Sequence, residues 1–421
     1  MANFDAAADS PRGYGEFRHG WKIVLASMLG IGLGLSPMPF YTIGVLAPEL
    51  KQAFGWTMGD IMGAITMTTL VTVIAGPTVG MLAGRIGVRR VALTSVLLFG
   101  LVFCALSLQT GSLPLFYAMF GLLALVGAGT LPITWTRTVN AWFDERKGLA
   151  LGLSLMGTGL FGIFAKPYTS WLVHEFGWRG AYVGLGLLPL LIALPAGWLL
   201  FRERAPVATA TGAAKVPGGL TLKQTLREWR FWVMAAAIVP VSFALGGPVP
   251  NMENILTTAG VPAEHLLSLT PLIGLSALLG RIAGGWLLDR FWAPAVGFVL
   301  LSLPAVSLLV LTKGQLGMTE AGIAIFMIGF ALGIEYDLVA YLVARYFGLK
   351  AYSAIYGILY VFFALGAGFG PLLMGRDFDA TGSYERALYL SSFALVASAA
   401  LLLLLGRYRK FPDEKAEAFA A

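Results

Sequence analysis

The feature that most constrains this chain is a series of apolar runs, each about as long as a lipid bilayer is thick. A bilayer core of ~30 Å takes about 20 predominantly apolar residues per helix. Runs of that length, bounded by charges, prolines or glycine clusters, fall at 23–47, 61–83, 91–109, 113–140, 149–172, 180–201, 231–252, 266–288, 292–312, 320–344, 352–374 and 387–406. None shows the alternation of a membrane β-strand. Helices are expected, because each backbone amide must find its partner within its own segment where no water is available. Composition points the same way: 57% of the 421 residues are hydrophobic and 12% charged, whereas a soluble domain carries roughly a quarter charged residues. The fold class expected is an all-α polytopic membrane protein with twelve transmembrane helices.

Orientation follows from the loops, since lysine and arginine are retained on the cytoplasmic side during insertion. Of 29 such residues, 21 fall on the side of Met1, 5 on the other side, and 3 inside spans. Both termini are therefore expected in the cytoplasm, with the spans in a bacterial cytoplasmic (inner) membrane. The first 20 residues are polar and lack the apolar core and cleavage site of a secretory signal. The net charge of +7 arises from cations spread over all the inner loops, so it needs no nucleic acid.

Several chemistries lack the residues they need. One cysteine, Cys104, and three histidines, His19, His174 and His265, all three outside the spans, leave no disulfide framework, structural metal site, haem pair or Fe–S cluster. No HExxH occurs, and Gly152-Leu153-Ser154-Leu155-Met156 lacks the closing glycine of a nucleophile elbow, so no enzyme is expected. The runs Gly30, Gly32, Gly34 and Gly366, Gly368, Gly370 read as close helix packing, because no strand precedes them and no GKS or GKT follows.

The chain also repeats itself. An offset of 204 or 205 places Gly80–Arg85 on Gly285–Arg290, Trp142-Phe143 on Tyr346-Phe347, Gly55 on Gly260, and Gly177-Trp178-Arg179 on Gly382-Ser383-Tyr384. Two pseudo-symmetric bundles rocking about a central site have this signature. The organisation expected is an N-terminal six-helix bundle with its tail over 1–201, a cytoplasmic linker over 202–230, and a C-terminal six-helix bundle with its tail over 231–421. Within the linker, Leu220–Trp229 is amphipathic and suits the inner membrane surface.

Gly80, Arg85, Gly87, Arg89 and Arg90 follow the pattern G-x-x-x-D-R-x-G-x-R-R, with Gly84 where the acid is expected; the second copy keeps it as Asp289-Arg290. In these residues the chain resembles the major facilitator superfamily. Trp142-Phe143 followed by Glu145-Arg146-Lys147-Gly148-Leu149-Ala150, and Gly20-Trp21 entering the first helix, are similar to its monocarboxylate and oxalate transporter branch. That branch's opening acidic signature is absent, and Arg18-His19 stands there instead. The resemblance implies the major facilitator fold and no ATP, metal or other cofactor. It implies a cytoplasmic gating motif of Gly80, Arg85, Arg89, Arg90, Asp289 and Arg290, in which an acid latches two helix ends through a basic partner or a helix N-terminus. It also implies a basic substrate-binding residue on the eighth helix, carried here onto Arg281.

An ionisable side chain at mid-bilayer costs at least ~2.5 kcal/mol and needs a reason. Five lie within spans: Arg137, Lys166, Arg281, Glu335 and Asp337. Arg281 sits roughly 12 Å from the cytoplasmic end, too deep to snorkel, and its fork matches a carboxylate; the other reading is a fixed ion pair with the tenth helix. Glu335 and Asp337 are about 200° apart around one helix, so one faces the path and can exchange a proton while the other braces neighbouring helices. Asp337 is preferred for the path, because Tyr341, one turn on, repeats Arg137 under the offset of 204. Lys166 precedes Pro167 and either binds substrate, satisfies the carbonyl that the proline frees, or snorkels outward. Three embedded cations against two acids favour an anion. Tyr41, Trp135, Tyr341, Tyr356 and Tyr360 are candidate pocket walls, alongside Phe40 and Tyr336, with Pro37 and Pro39 breaking the first helix near Tyr41.

The function expected is secondary active transport of a small organic anion, most simply a monocarboxylate, aromatic acids included, by proton symport with alternating access, in a monomer. Proton-coupled efflux of drugs or hydrophobic compounds, and anion exchange of the oxalate type, are the alternatives.

Overall fold

The computed structural model describes residues 15–143, 147–203, 219–348, 350–409 and 411. Helices dominate throughout. The first crossing is made by Gly15–Gly32 and Met38–Phe54, the second by Met58–Ile86, the third by Val88–Ala105, and the fourth by Leu113–Gly127 and Pro132–Trp142. The fifth and sixth run together as Lys147–Leu188, continued by a π-helical segment Pro189–Ala193 and by Leu194–Leu200. A short helix, Leu222–Arg227, precedes the seventh crossing, Trp229–Gly246 with Pro248–Thr258. The eighth is Ala263–Leu269 with Pro271–Arg290, the ninth Ala293–Val310, the tenth Met318–Phe347, the eleventh Tyr352–Thr381, and the twelfth Glu385–Leu401.

Ten segments are long and apolar enough to cross a membrane. One of them, Leu149–Leu200, is 52 residues long, twice what one crossing needs. It turns back at Gly177, whose φ of 67° no helix interior adopts. The first crossing falls outside the ten because residues 33–37 interrupt it. Prolines at 37 and 39 remove amide donors there, and the break is held by Leu35 N–H donating to Thr130 Oγ1 at 2.8 Å. With these two corrections the twelve expected crossings are all present, in an integral membrane protein of two six-helix bundles.

The internal repeat appears as shared structural roles. Gly55 and its counterpart Gly260 both take positive φ, as do Gly177 and Gly382, so each pair turns the chain at the same point of its bundle. Trp142 Nε1 donates to the Arg202 carbonyl at 2.9 Å, and Tyr346 Oη donates to the Gly406 carbonyl at 2.5 Å; both pairs are offset by 204. The Arg89 amide donates to the Glu203 carboxylate, and the corresponding Ala293 amide donates to Tyr408 Oη at 2.8 Å.

The two bundles meet on the face opposite the one that carries Gly15 and Arg409. There the second and eleventh helices approach with Gly375 against Gly59, Thr66 Oγ1 donates to the Gly368 carbonyl at 2.7 Å, and Gly44 of the first helix lies against the Pro250 carbonyl of the seventh. Asp379 reaches across from the eleventh helix and accepts from the Met58 and Gly59 amides at 2.9 and 2.6 Å, capping the second helix from the other bundle. Deeper in, Gly162 of the fifth helix and Gly274 of the eighth bring their backbones together. Toward the face carrying Gly15 and Arg409 the bundles part, and the space beside Gly152, Gly285 and Gly357 is open.

Candidate functional site

The eighth and tenth helices are pressed together by glycines one turn apart. Gly280 lies on the Phe330 carbonyl and Gly284 on the Ile334 side chain, while Gly329 lies on Ser276 and Gly333 on the Ala277 carbonyl. Small residues at four-residue spacing allow this approach in a membrane. Gly333 and Asp337 share one helix face, so Asp337 is aimed at the eighth helix and meets Arg281 there. Arg281 Nε and Asp337 Oδ2 lie 3.7 Å apart, an ion pair with both side chains partly accessible, 17% and 30%. The remaining exposure leaves guanidinium edges open to a second anionic partner.

Glu335 points the other way, as the 200° separation requires. It is buried inside the second bundle, both carboxyl oxygens lack a hydrogen-bond partner, and it faces a small apolar cavity lined by Met234, Ile238, Leu301, Leu338 and Leu402.

Three tyrosines lie within electrostatic reach of the Arg281–Asp337 pair. Tyr41 packs against Gly162 and lies within electrostatic reach of Arg281, placing a first-bundle phenol beside a second-bundle cation. Tyr356 is within such reach of both Arg281 and Asp337, and Tyr352 of Asp337. Tyr352 and Tyr356 stack with ring planes 3° apart. One turn further, Tyr360 and Tyr336 pair at 6.0 Å, and Phe363 packs on Tyr336 at 4.3 Å.

The other expected site residues are not all brought here. Trp135 is fully buried in the first bundle against Gly30 and Phe201, so it packs and does not face Arg281. Arg137 is exposed on the fourth helix. Tyr341 is half-buried one turn beyond Asp337, with the Arg345 guanidinium 5.7 Å from its ring. Lys166 is 1% exposed and lies on the sealed side of Gly162, apart from Arg281.

In the gating motif, Gly80 lies within the second helix, and Arg85, Arg90, Asp289 and Arg290 are exposed. Arg89 donates to the Trp198 carbonyl at 2.6 Å, and Arg290 stacks on Trp286 at 4.1 Å. Both contacts stay within one bundle, and among the described residues no ion pair holds Asp289. Glu145 and Arg146 lie outside the described residues. Sequence reading missed Asp379, Glu203 and Tyr352. The first two act as helix caps on residues more than a hundred positions away, which no local pattern announces. Tyr352 was legible, being four residues before Tyr356 on the same face.

Comparison with known proteins fits this architecture. The profile of the Major Facilitator Superfamily matches residues 29–371. Monocarboxylate transporter 13 of Rattus norvegicus is 26% identical over 399 residues, covering 92% of this chain and 89% of that protein. Monocarboxylate transporter 11 of Mus musculus is 26% identical over 415 residues, covering 96% and 91%. A bacterial homolog of the human lysosomal transporter Spinster, solved in an inward-facing and unoccupied conformation, superimposes with a TM-score of 0.68 at 17% identity, covering 92% of this chain and 95% of that one. The match across most of the chain, on a fold of two repeated six-helix bundles, makes this protein a transporter of the Major Facilitator Superfamily.

Proposed function

We propose that the chain moves an organic anion, a monocarboxylate, together with a proton, by alternating access, and that the face carrying the termini is cytoplasmic. The observation that carries this reading is the Arg281–Asp337 pair, partly accessible at 3.7 Å. A substrate carboxylate and Asp337 compete for one guanidinium. A proton on Asp337 removes its charge and releases Arg281 to the substrate, so that anion and proton load as a neutral sum. Tyr41 and Tyr356, with Tyr352 and Tyr360 beyond, wall the site with phenol rings, which suits an aromatic acid. The relatives named monocarboxylate transporters support the same substrate class.

The test is counterflow in proteoliposomes with short monocarboxylates, dicarboxylates, aromatic acids, sugars and lipophilic cations. Saturable exchange of carboxylates is expected. Arg281→Gln should lower it by about 30-fold or more, the cost of removing one partner of a desolvated charge pair. Asp337→Asn should keep exchange while losing accumulation driven by a pH gradient. Undiminished transport by Arg281→Gln, or exchange of cations or sugars alone, overturns the assignment. Uptake that requires an internal anion and ignores the pH gradient establishes anion exchange instead.

A further inference from the structure

Lys166 is the buried cation that the Arg281 site leaves unused. Its ammonium makes no hydrogen bond, and its side chain is 1% exposed. Two ordinary explanations are thereby removed. It does not satisfy the carbonyl freed by Pro167, and it does not snorkel to a membrane surface. The opposite charge it feels comes from the other bundle: Glu253 of the seventh helix, which stays beyond ion-pair distance. Lys166 lies one turn past Gly162, where the fifth helix touches the eighth at Gly274, and Arg281 lies seven residues from Gly274 in the other direction. Lys166 and Arg281 are thus about 16 Å apart along the membrane normal, with the seal between the bundles beside the first and the chamber beside the second.

An amine buried without a hydrogen-bond partner is costly to charge. Its position gives it a use once the seal opens, because water and solute then reach it before they reach Arg281. Resting on the anion-transport reading above, we infer that Lys166 is an anion-capture subsite of the state open to the opposite face. A carboxylate arriving from that face pairs with the Lys166 ammonium first and passes to Arg281 as the seal closes behind it. Glu253 is the counter-charge left near Lys166 after the anion has moved on. A carboxylate entering from the face of the termini meets Arg281 without passing Lys166.

The test is side-selective kinetics in right-side-out and inverted membrane vesicles. Lys166→Met keeps the length of the side chain and removes the charge. Its apparent KM should rise about tenfold or more for solute presented at the face opposite the termini, and stay within about twofold at the other face. Lys166→Arg should restore most of the difference. Because a lone buried charge is removed, Lys166→Met should also melt about 2 °C or more above the wild type in detergent. Equal changes at both faces, no change, or a lower melting temperature overturns the inference, the last because it would reveal a structural partner. The wild-type protein separates the two readings. If it moves anions, these arms decide the Lys166 inference alone; if it moves only cations or neutral solutes, both readings fall.

Discussion

The two faces of the molecule are held in opposite ways. At the sealed face the bundles meet through backbone: Gly59 on Gly375, Gly44 on the Pro250 carbonyl, Gly162 on Gly274, and the Asp379 carboxylate on two amides of the second helix. At the open face, among the described residues, Trp142 and Tyr346 each tie a helix end to the chain leaving its own bundle. The seal joins glycine backbones, one cap and the Thr66 hydrogen bond to the Gly368 carbonyl, so it depends on close approach of the helices. The ties at the open face are rigid parts of each half and survive the parting.

The hardest blow to this contrast is a side chain in the seal. A Cβ on Gly274 would meet the backbone of Gly162 and Ile163, which cannot step aside as a side chain does. Gly274→Val should cost the sealed state about 1–3 kcal/mol, shifting the population toward the other state by roughly 5- to 150-fold and slowing turnover accordingly. Spin-label distances between the second and eleventh helices would report the shift; an unchanged distance distribution would mean the seal tolerates the residue. A smaller effect is expected at Asp379. Replacing a cap by alanine costs about 1 kcal/mol, so Asp379→Ala should shift the same distances by about fivefold in population, and Asp379→Asn, itself a good cap, much less. If the two variants behave alike, charge and not capping holds the seal. Smallest is Tyr346→Phe, which removes one hydrogen bond within the second bundle. It should lower thermal stability by about 1 kcal/mol and leave the interbundle distances alone. A change in those distances would show that the open-face tie is part of the gate.

Run length and charge made the crossings legible, and the offset of 204 led to residues that share hydrogen-bonding roles, as with Trp142 and Tyr346. The fifth and sixth helices were separable on paper because Gly177-Trp178-Arg179 interrupts the apolar run, even though the chain stays helical on both sides of that turn. Orientation around a helix was harder to read. Trp135 suited a pocket by type, yet the small residue Gly30 draws it into the first bundle. Asp337 was preferred through the repeat, while the local reason, Gly333 one turn earlier on the same face, was in plain sight as a packing signal. The seal was illegible, since Asp379 lies 321 residues from Met58 and joins it only after both bundles have formed.

The segment before the seventh helix bears on how the chain divides. Leu220 N–H donates to the Phe347 carbonyl at 2.8 Å, Thr221 and Gln224 form a capping box, and Glu228 is shared between Arg230 and Arg409 at 3.3 and 3.1 Å. All of these contacts belong to the second bundle, so residues 219–230 travel with it as a strap joining its first, fourth and last helices. A split version expressed as two fragments would therefore keep its strap only if the second fragment began at or before Gly219. Cutting at 231, where the apolar run begins, would separate Glu228 and Arg230 from Arg409 and leave the reassembled half without its belt.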